Sequence, residues 1–137
     1  MIILSPACFH QSGDFFMTDH VVFFLDNDKD FLELYSRLLQ SKGCQVFATD
    51  NLFLLIKYAQ TALPEWIFID ENFAADYESE VVNIINKGLP FNQTHFAIMS
   101  QQQAAKNPLQ DKNIEFVYKP QILEKVMQIS ENSCIVQ

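Results

Sequence analysis

Two apolar runs in this chain each stop at an acid: Val21-Val22-Phe23-Phe24-Leu25 ends at Asp26-Asn27-Asp28, and Trp66-Ile67-Phe68-Ile69 ends at Asp70. Short runs rich in aromatic and β-branched residues, without polar alternation, are strands covered on both faces, as in a parallel sheet. In such sheets ligands bind just beyond the carboxyl ends of the strands, where these acids fall. Two further runs end in polar residues of a complementary kind, Phe96-Ala97-Ile98-Met99 before Ser100 and Ile114-Glu115-Phe116-Val117-Tyr118 before Lys119-Pro120. The pattern predicts two carboxylates, a hydroxyl and an ammonium on one sheet edge.

Between the runs the spacing turns helical. Phe31, Leu34, Tyr35, Leu38 and Leu39 recur at three and four and stop at Gly43. Cys44 to Thr49 reads as a strand, and Asn51 to Thr61 as a helix capped by Asp50 or Asn51 and closed ahead of Pro64. After the Trp66 to Ile69 strand the pattern predicts a loop, then a helix near Glu78 to Lys87 ended by Gly88, and the strand ending at Met99. A short helix within Gln101 to Lys106, limited by Pro108, a strand from Ile114 and a last helix from Gln121 to Ile129 complete the order, with Pro120 suited to the first turn of that helix. Five strand-helix units in alternation specify a parallel sheet with helices on both faces. The expected arrangement is a single doubly wound α/β domain of five strands in the order 2-1-3-4-5, whose reversal falls beside the strands ending in Asp26 and Asp70. Residues 20–131 form this domain. Residues 1–19 lack periodicity and read as an N-terminal extension outside the core, and 132–137 as a tail.

The chain's 137 residues, 49% of them apolar, suit one core. No apolar stretch approaches the ~18 residues of a membrane span, and Met1-Ile2-Ile3-Leu4 has no basic flank of the kind a secretory leader carries. Cys8, Cys44 and Cys134 lack metal-ligand spacing, which fits a reduced, cytoplasmic chain. His10, His20 and His95 are scattered and receive no role. A net charge of −8 argues against direct binding to nucleic acid or an anionic membrane, both of which are held by Lys and Arg, and points to a protein or cationic partner.

The segment Asp26-Asn27-Asp28-Lys29-Asp30 starts like a calcium loop, but Phe31 replaces the turn glycine and Arg37 stands where the bidentate Glu belongs. It also approaches the D-x-D-x-[T/V] signature of haloacid dehalogenase-like phosphatases, with Asp26 as nucleophile and Asp28 as general acid. Asp30 then occupies the Thr/Val position, and no late acidic pair follows Lys119. In whole-chain order, an acidic cluster, a lone Asp, a Ser and a Lys-Pro after the first, third, fourth and fifth strands, the sequence resembles the receiver domain of two-component response regulators, over residues 21–130 or so.

That resemblance implies a flavodoxin-like fold in which Asp70 accepts phosphate from a histidine kinase or phosphotransfer protein and signals to a downstream protein, with no separate substrate turnover. It implies that Asp26, Asn27, Asp70 and the backbone carbonyl of Asn72 hold Mg²⁺, that Ser100 and Lys119 bond the phosphoryl group, and that Ser100 and Phe116 form the switch. The partner face would combine the short helix after Ser100, the Phe116 strand and the last helix, and homodimerisation through it is left open. With few residues after the last helix, the effect is expected to pass through a partner rather than an output domain.

Departures from the pattern are specific. Asn27 stands where receivers carry a second metal-binding acid, so Mg²⁺ is expected to bind weakly. Ala74 replaces a common Pro and Glu78 a common Gly. A degenerate receiver acting as a phosphorylation-independent interaction module is therefore the alternative reading.

Overall fold

Side chains alternate across each parallel strand, and both faces of the sheet are apolar. The computed structural model describes residues 2–4, 20–87, 94–102 and 114–127. In chain order the elements are β1 (Ile2–Leu4), β2 (Val21–Leu25), α1 (Lys29–Ser41), β3 (Gln45–Thr49), α2 (Leu52–Ala62), β4 (Trp66–Asp70), α3 (Glu71–Asp76), α4 (Glu78–Lys87), β5 (His95–Ser100) and β6 (Glu115–Tyr118). A 3₁₀ turn, Lys119–Gln121, then leads into α5 (122–127).

Val22 and Phe24 of β2, Trp66 and Phe68 of β4, and Ala97 and Met99 of β5 pack with Leu32 and Leu39 of α1 and Ile122 and Val126 of α5. The alternate residues Phe23, Leu25, Ile67, Ile69 and Ile98 pack with Leu52 and Leu55 of α2, Phe73 of α3 and Val81 of α4. Both layers follow from the period of two in a strand. Aromatic stacking joins β2 to β4, where Phe24 and Phe68 have ring centroids 5.4 Å apart. Ring offsets of this size suit aromatic pairs in a core.

The parallel strands run β3-β2-β4-β5-β6, the 2-1-3-4-5 order expected. Order reverses at β2 and β4, so the crevice there opens above the ends of the two strands that carry Asp26 and Asp70. A sixth strand extends the edge: β1 pairs antiparallel with β3, with Ile3 opposite Ala48. The extension expected over 1–19 thus supplies a sheet strand at 2–4, while residues 5–19 lie outside the described ones.

Two local expectations are corrected. In α1 the buried residues are Phe31, Leu32, Ser36 and Leu39, and Leu34 is 55% exposed. Leu32, Ser36 and Leu39 share a stripe by their spacing of four and three, whereas Leu34 steps 200° round from Leu32, about half a turn or more, onto the outer face. The loop expected after β4 is instead helix α3, which begins at Glu71 without an intervening residue. Asp70 caps it, and with Ala74 in place of a proline nothing in Glu71-Asn72-Phe73-Ala74-Ala75 opposes a helix. Helix α2 takes Asn51, not Asp50, as its cap, the side chain accepting from the Leu54 N–H at 3.0 Å. Of the short helix expected within 101–106, Gln101 and Gln102 are described, and they form a bend; the rest of it, Gly88, Pro108 and the end of the last helix at Ile129 lie outside the described residues.

Candidate functional site

Buried charge is concentrated at the carboxyl ends of the strands. Asp26, Asp70, Ser100 and Lys119 are all buried, with exposures of 2%, 6%, 0% and 5%. Each arrives by its strand: Asp26 directly follows β2, Asp70 and Ser100 are the last residues of β4 and β5, and Lys119 directly follows β6. The parallel register sets them level, since Asp70 pairs with Met99 and Ser100 with Tyr118.

Lys119 is the centre of this group. Its Nζ lies 2.7 Å from Asp26 Oδ2 and 3.0 Å from Asp70 Oδ1. It also sits 4.6 Å from the ring centroid of Phe31, the first buried residue of α1, where the π face attracts a cation. Burial opposes the lysine's charge, but its contacts with Asp26 and Asp70 outweigh burial and hold its pKa above the ordinary 10.5. Burial pushes the Asp26 carboxyl above the usual 3.8, and the neighbouring Asp70 charge adds to that, against the pull of Lys119 and of the Asp28 N–H. One cation shared by two buried acids leaves the group net negative.

The remaining oxygens are held by local backbone. Asp26 Oδ1 accepts from the Asp28 N–H at 3.0 Å, and Asp28 caps α1 by accepting from the Phe31 N–H at 3.1 Å. Asp28 is thus a capping residue, and α1 begins where a calcium loop would still have to turn. Asp70 Oδ2 accepts from the Asn72 N–H at 3.0 Å. Asn72 is the second residue of α3, so its carbonyl runs along the helix toward residue 76, away from Asp70. The group that Asn72 turns to Asp70 is its N–H, not the carbonyl that the resemblance assigns to a metal.

These residues line an open cleft of about 650 Å³ formed by Asp26, Asn27, Asp28, Asp70, Glu71, Asn72, Gln101, Gln102 and Lys119. Its donor set of two buried carboxylates with the exposed Asn27 amide beside them is all oxygen, which suits a hard divalent ion. Asp26 Oδ2 is buried with no aligned hydrogen-bond donor, and the ammonium's charge alone compensates it. The residues present therefore fit Mg²⁺, at reduced charge.

Ser100 sits beside the cleft, and its Oγ donates to Glu71 Oε2 at 2.6 Å while accepting from the Gln102 N–H at 2.9 Å. Glu71 is the residue that sequence reasoning missed. Its position directly after Asp70 is a signal only once α3 is known to start there and point the side chain back over the strand ends. Phe116 is half-buried in β6, opposite Ile98, on the α2–α4 side of the sheet and outside the cleft lining. Apart from Gln101 and Gln102, the short helix of the expected partner face lies outside the described residues, as do Cys8, His10 and Cys134. Cys44 is buried between strand and helix layers, and among the described residues no three His, Cys, Asp or Glu side chains are grouped as a metal site. Nor, among them, is any helix long and apolar enough to cross a membrane.

No protein-family model and no curated protein matches the chain. Among solved structures it is similar to a response regulator from Thermotoga maritima, with a TM-score of 0.61 over 82% of this chain and 95% of that one, at 15% sequence identity. A similarity at this identity is one of fold: the domain has a flavodoxin-like architecture.

Proposed function

We propose that the chain is a receiver domain in which Asp70 accepts a phosphoryl group from a histidine kinase, a phosphotransfer protein or a small acyl phosphate, and passes the signal on by protein contact. The observation that carries this reading is the Lys119 ammonium, 3.0 Å from Asp70 and 2.7 Å from Asp26 at the crevice of a receiver-type sheet. An Asp70 oxygen attacks phosphorus, the donor's P–N or P–O bond breaks, and the donor leaves with the electron pair. The acyl phosphate adds close to two negative charges. Lys119 offsets part of them and orients the Asp70 carboxylate, and the Asn72 N–H fixes its second oxygen. Asp26 and Asn27 would hold Mg²⁺ with Asp70; when bound, the ion offsets charge on the phosphoryl oxygens.

The test is intact-protein mass after treatment with acetyl phosphate and Mg²⁺. One phosphoryl increment on wild type and none on Asp70→Ala is expected. An increment that survives Asp70→Ala and disappears in Asp26→Ala would assign the chemistry to Asp26, as in a haloacid dehalogenase-like phosphatase. A second reading, a phosphorylation-independent interaction module, is favoured by the Asn72 carbonyl turned away along α3 and by the neutral Asn27. No increment on wild type, with partner binding intact, selects it.

A further inference from the structure

Ser100 and Glu71 meet across the ends of β5 and β4. The Ser100 hydroxyl has one proton, and it is spent on Glu71 Oε2 at 2.6 Å. The side chain is fully buried, so no bulk water competes for that proton. The oxygen accepts in turn from the Gln102 N–H at 2.9 Å, which ties the chain leaving β5 to the same contact. A hydrogen bond to a carboxylate of this length is charge-assisted and roughly twice as strong as a neutral one.

We propose that Glu71 is a positioning residue: its carboxylate is a resident anion that holds the Ser100 hydroxyl, and through it the Gln102 backbone, so that a phosphoryl group on Asp70 gains Ser100 only by displacing Glu71. The proposal rests on the receiver reading of the cleft. Three lines of chemistry lead to it. Glu71 lines the same cleft as Asp70, so a phosphoryl group would bring its charge against the Glu71 carboxylate. Lys119 is the cation among the described residues lining the cleft, and it is already shared between Asp26 and Asp70, leaving Glu71 uncompensated by it. A single hydroxyl proton cannot serve two acceptors, so Glu71 and the phosphoryl oxygen compete for it. In the resting state Ser100 is already bonded to an anion, and the Gln102 backbone is held through it by Glu71 before any phosphate arrives.

The experiment uses the full chain, with beryllofluoride and Mg²⁺ as the phosphoryl-mimicking probe and the Gln102 amide resonance as the reporter. Without the probe, Glu71→Ala and Ser100→Ala are each expected to move the Gln102 amide, and Glu71→Gln to move it less, because its amide oxygen still accepts from Ser100. With the probe, Glu71→Ala is expected to bind beryllofluoride on the order of tenfold more tightly than wild type, the factor set by one charge-assisted hydrogen bond no longer to be broken. A Gln102 amide that moves in Ser100→Ala but not in Glu71→Ala overturns the proposal, as does equal beryllofluoride affinity in wild type and Glu71→Ala. Beryllofluoride bound by none of the variants removes the receiver reading and the competition with it, while the probe-free spectra still decide whether Glu71 holds Ser100.

Discussion

The Lys119 ammonium stands 3.0 Å from Oδ1 of Asp70 and divides its charge between that carboxylate and Asp26. The arrangement makes the lysine a structural counter-ion as well as a site residue. Lys119→Met keeps an unbranched side chain of similar length but removes the cation over Phe31 and leaves two buried acids facing each other. Removing one partner from a buried ion pair costs about 3–5 kcal/mol, and the open cleft places this case near the lower figure. Urea unfolding at neutral pH should show a loss of about 3 kcal/mol, and Asp26→Asn added to Lys119→Met should restore much of it. A Lys119→Met protein as stable as wild type would show that water, not Lys119, compensates these acids.

Alkaline pH should weaken the fold, and one residue can be separated from the rest. Lys119 binds its proton more tightly folded than unfolded, so its contribution is complete below 10.5 and is lost as pH rises through its raised folded value. Asp26 is also raised, chiefly by burial and further by the Asp70 charge, so its cost appears as pH climbs above 3.8 through its raised folded value. Cys44 is a neutral thiol in the fold, pushed up from 9.0 to about 11 by burial and by the charge of Glu65. The unfolded chain therefore ionises this thiol first, and stability falls between those two values, by about 3 kcal/mol in all. Cys44→Ala should flatten that part of the stability-pH curve and run parallel to wild type from neutrality to pH 9. Parallel curves through pH 9 to 11 as well would mean the thiol titrates alike in both states.

Leu63 caps the carboxyl end of helix α2, sits at φ 51° in the left-handed region and is 56% exposed. A Cβ there costs about 1–2 kcal/mol. Leu63→Gly removes that strain and little buried apolar area, while giving the unfolded chain more freedom to lose. The net gain should be about 0.5–1 kcal/mol, read as a higher melting temperature. A lower one would show that the Leu63 side chain packs more than its exposure implies.

The sheet was legible because the parallel strands are covered on both faces and so appear as uninterrupted apolar runs, each ending at its own polar residue. Asp26, Asp70, Ser100 and Lys119 could be read from order alone, since parallel register brings strand ends level. What the sequence hid were features decided by one or two residues of backbone. Strand β1 has three residues, too few for a period of two to register. Helix α3 has six, too few for a period to register, and its immediate start is what carries Glu71 to Ser100 and turns the Asn72 carbonyl away. Leu34 was misplaced because leucines crowd α1, and a spacing of three or four can be drawn through more than one stripe.

Asn27 lines the cleft beside Asp26 and Asp70, where the receiver pattern carries a second acid. An acid there would face a divalent ion with a full charge. At ~3 Å and an effective dielectric near 20 that is of order 10 kcal/mol of gross attraction, most of it cancelled by desolvation. The net difference is about one to a few kcal/mol, or on the order of ten- to several-hundred-fold in affinity. Wild type should bind Mg²⁺ weakly in a calorimetric titration, and Asn27→Asp should tighten binding by that factor and speed phosphorylation of Asp70. Asp28 is poorly placed to substitute, because its carboxylate already caps α1 through the Phe31 N–H. Tight Mg²⁺ binding by wild type, unchanged in Asn27→Asp, would therefore put the ion away from Asn27 and detach the metal from the acidic turn after β2.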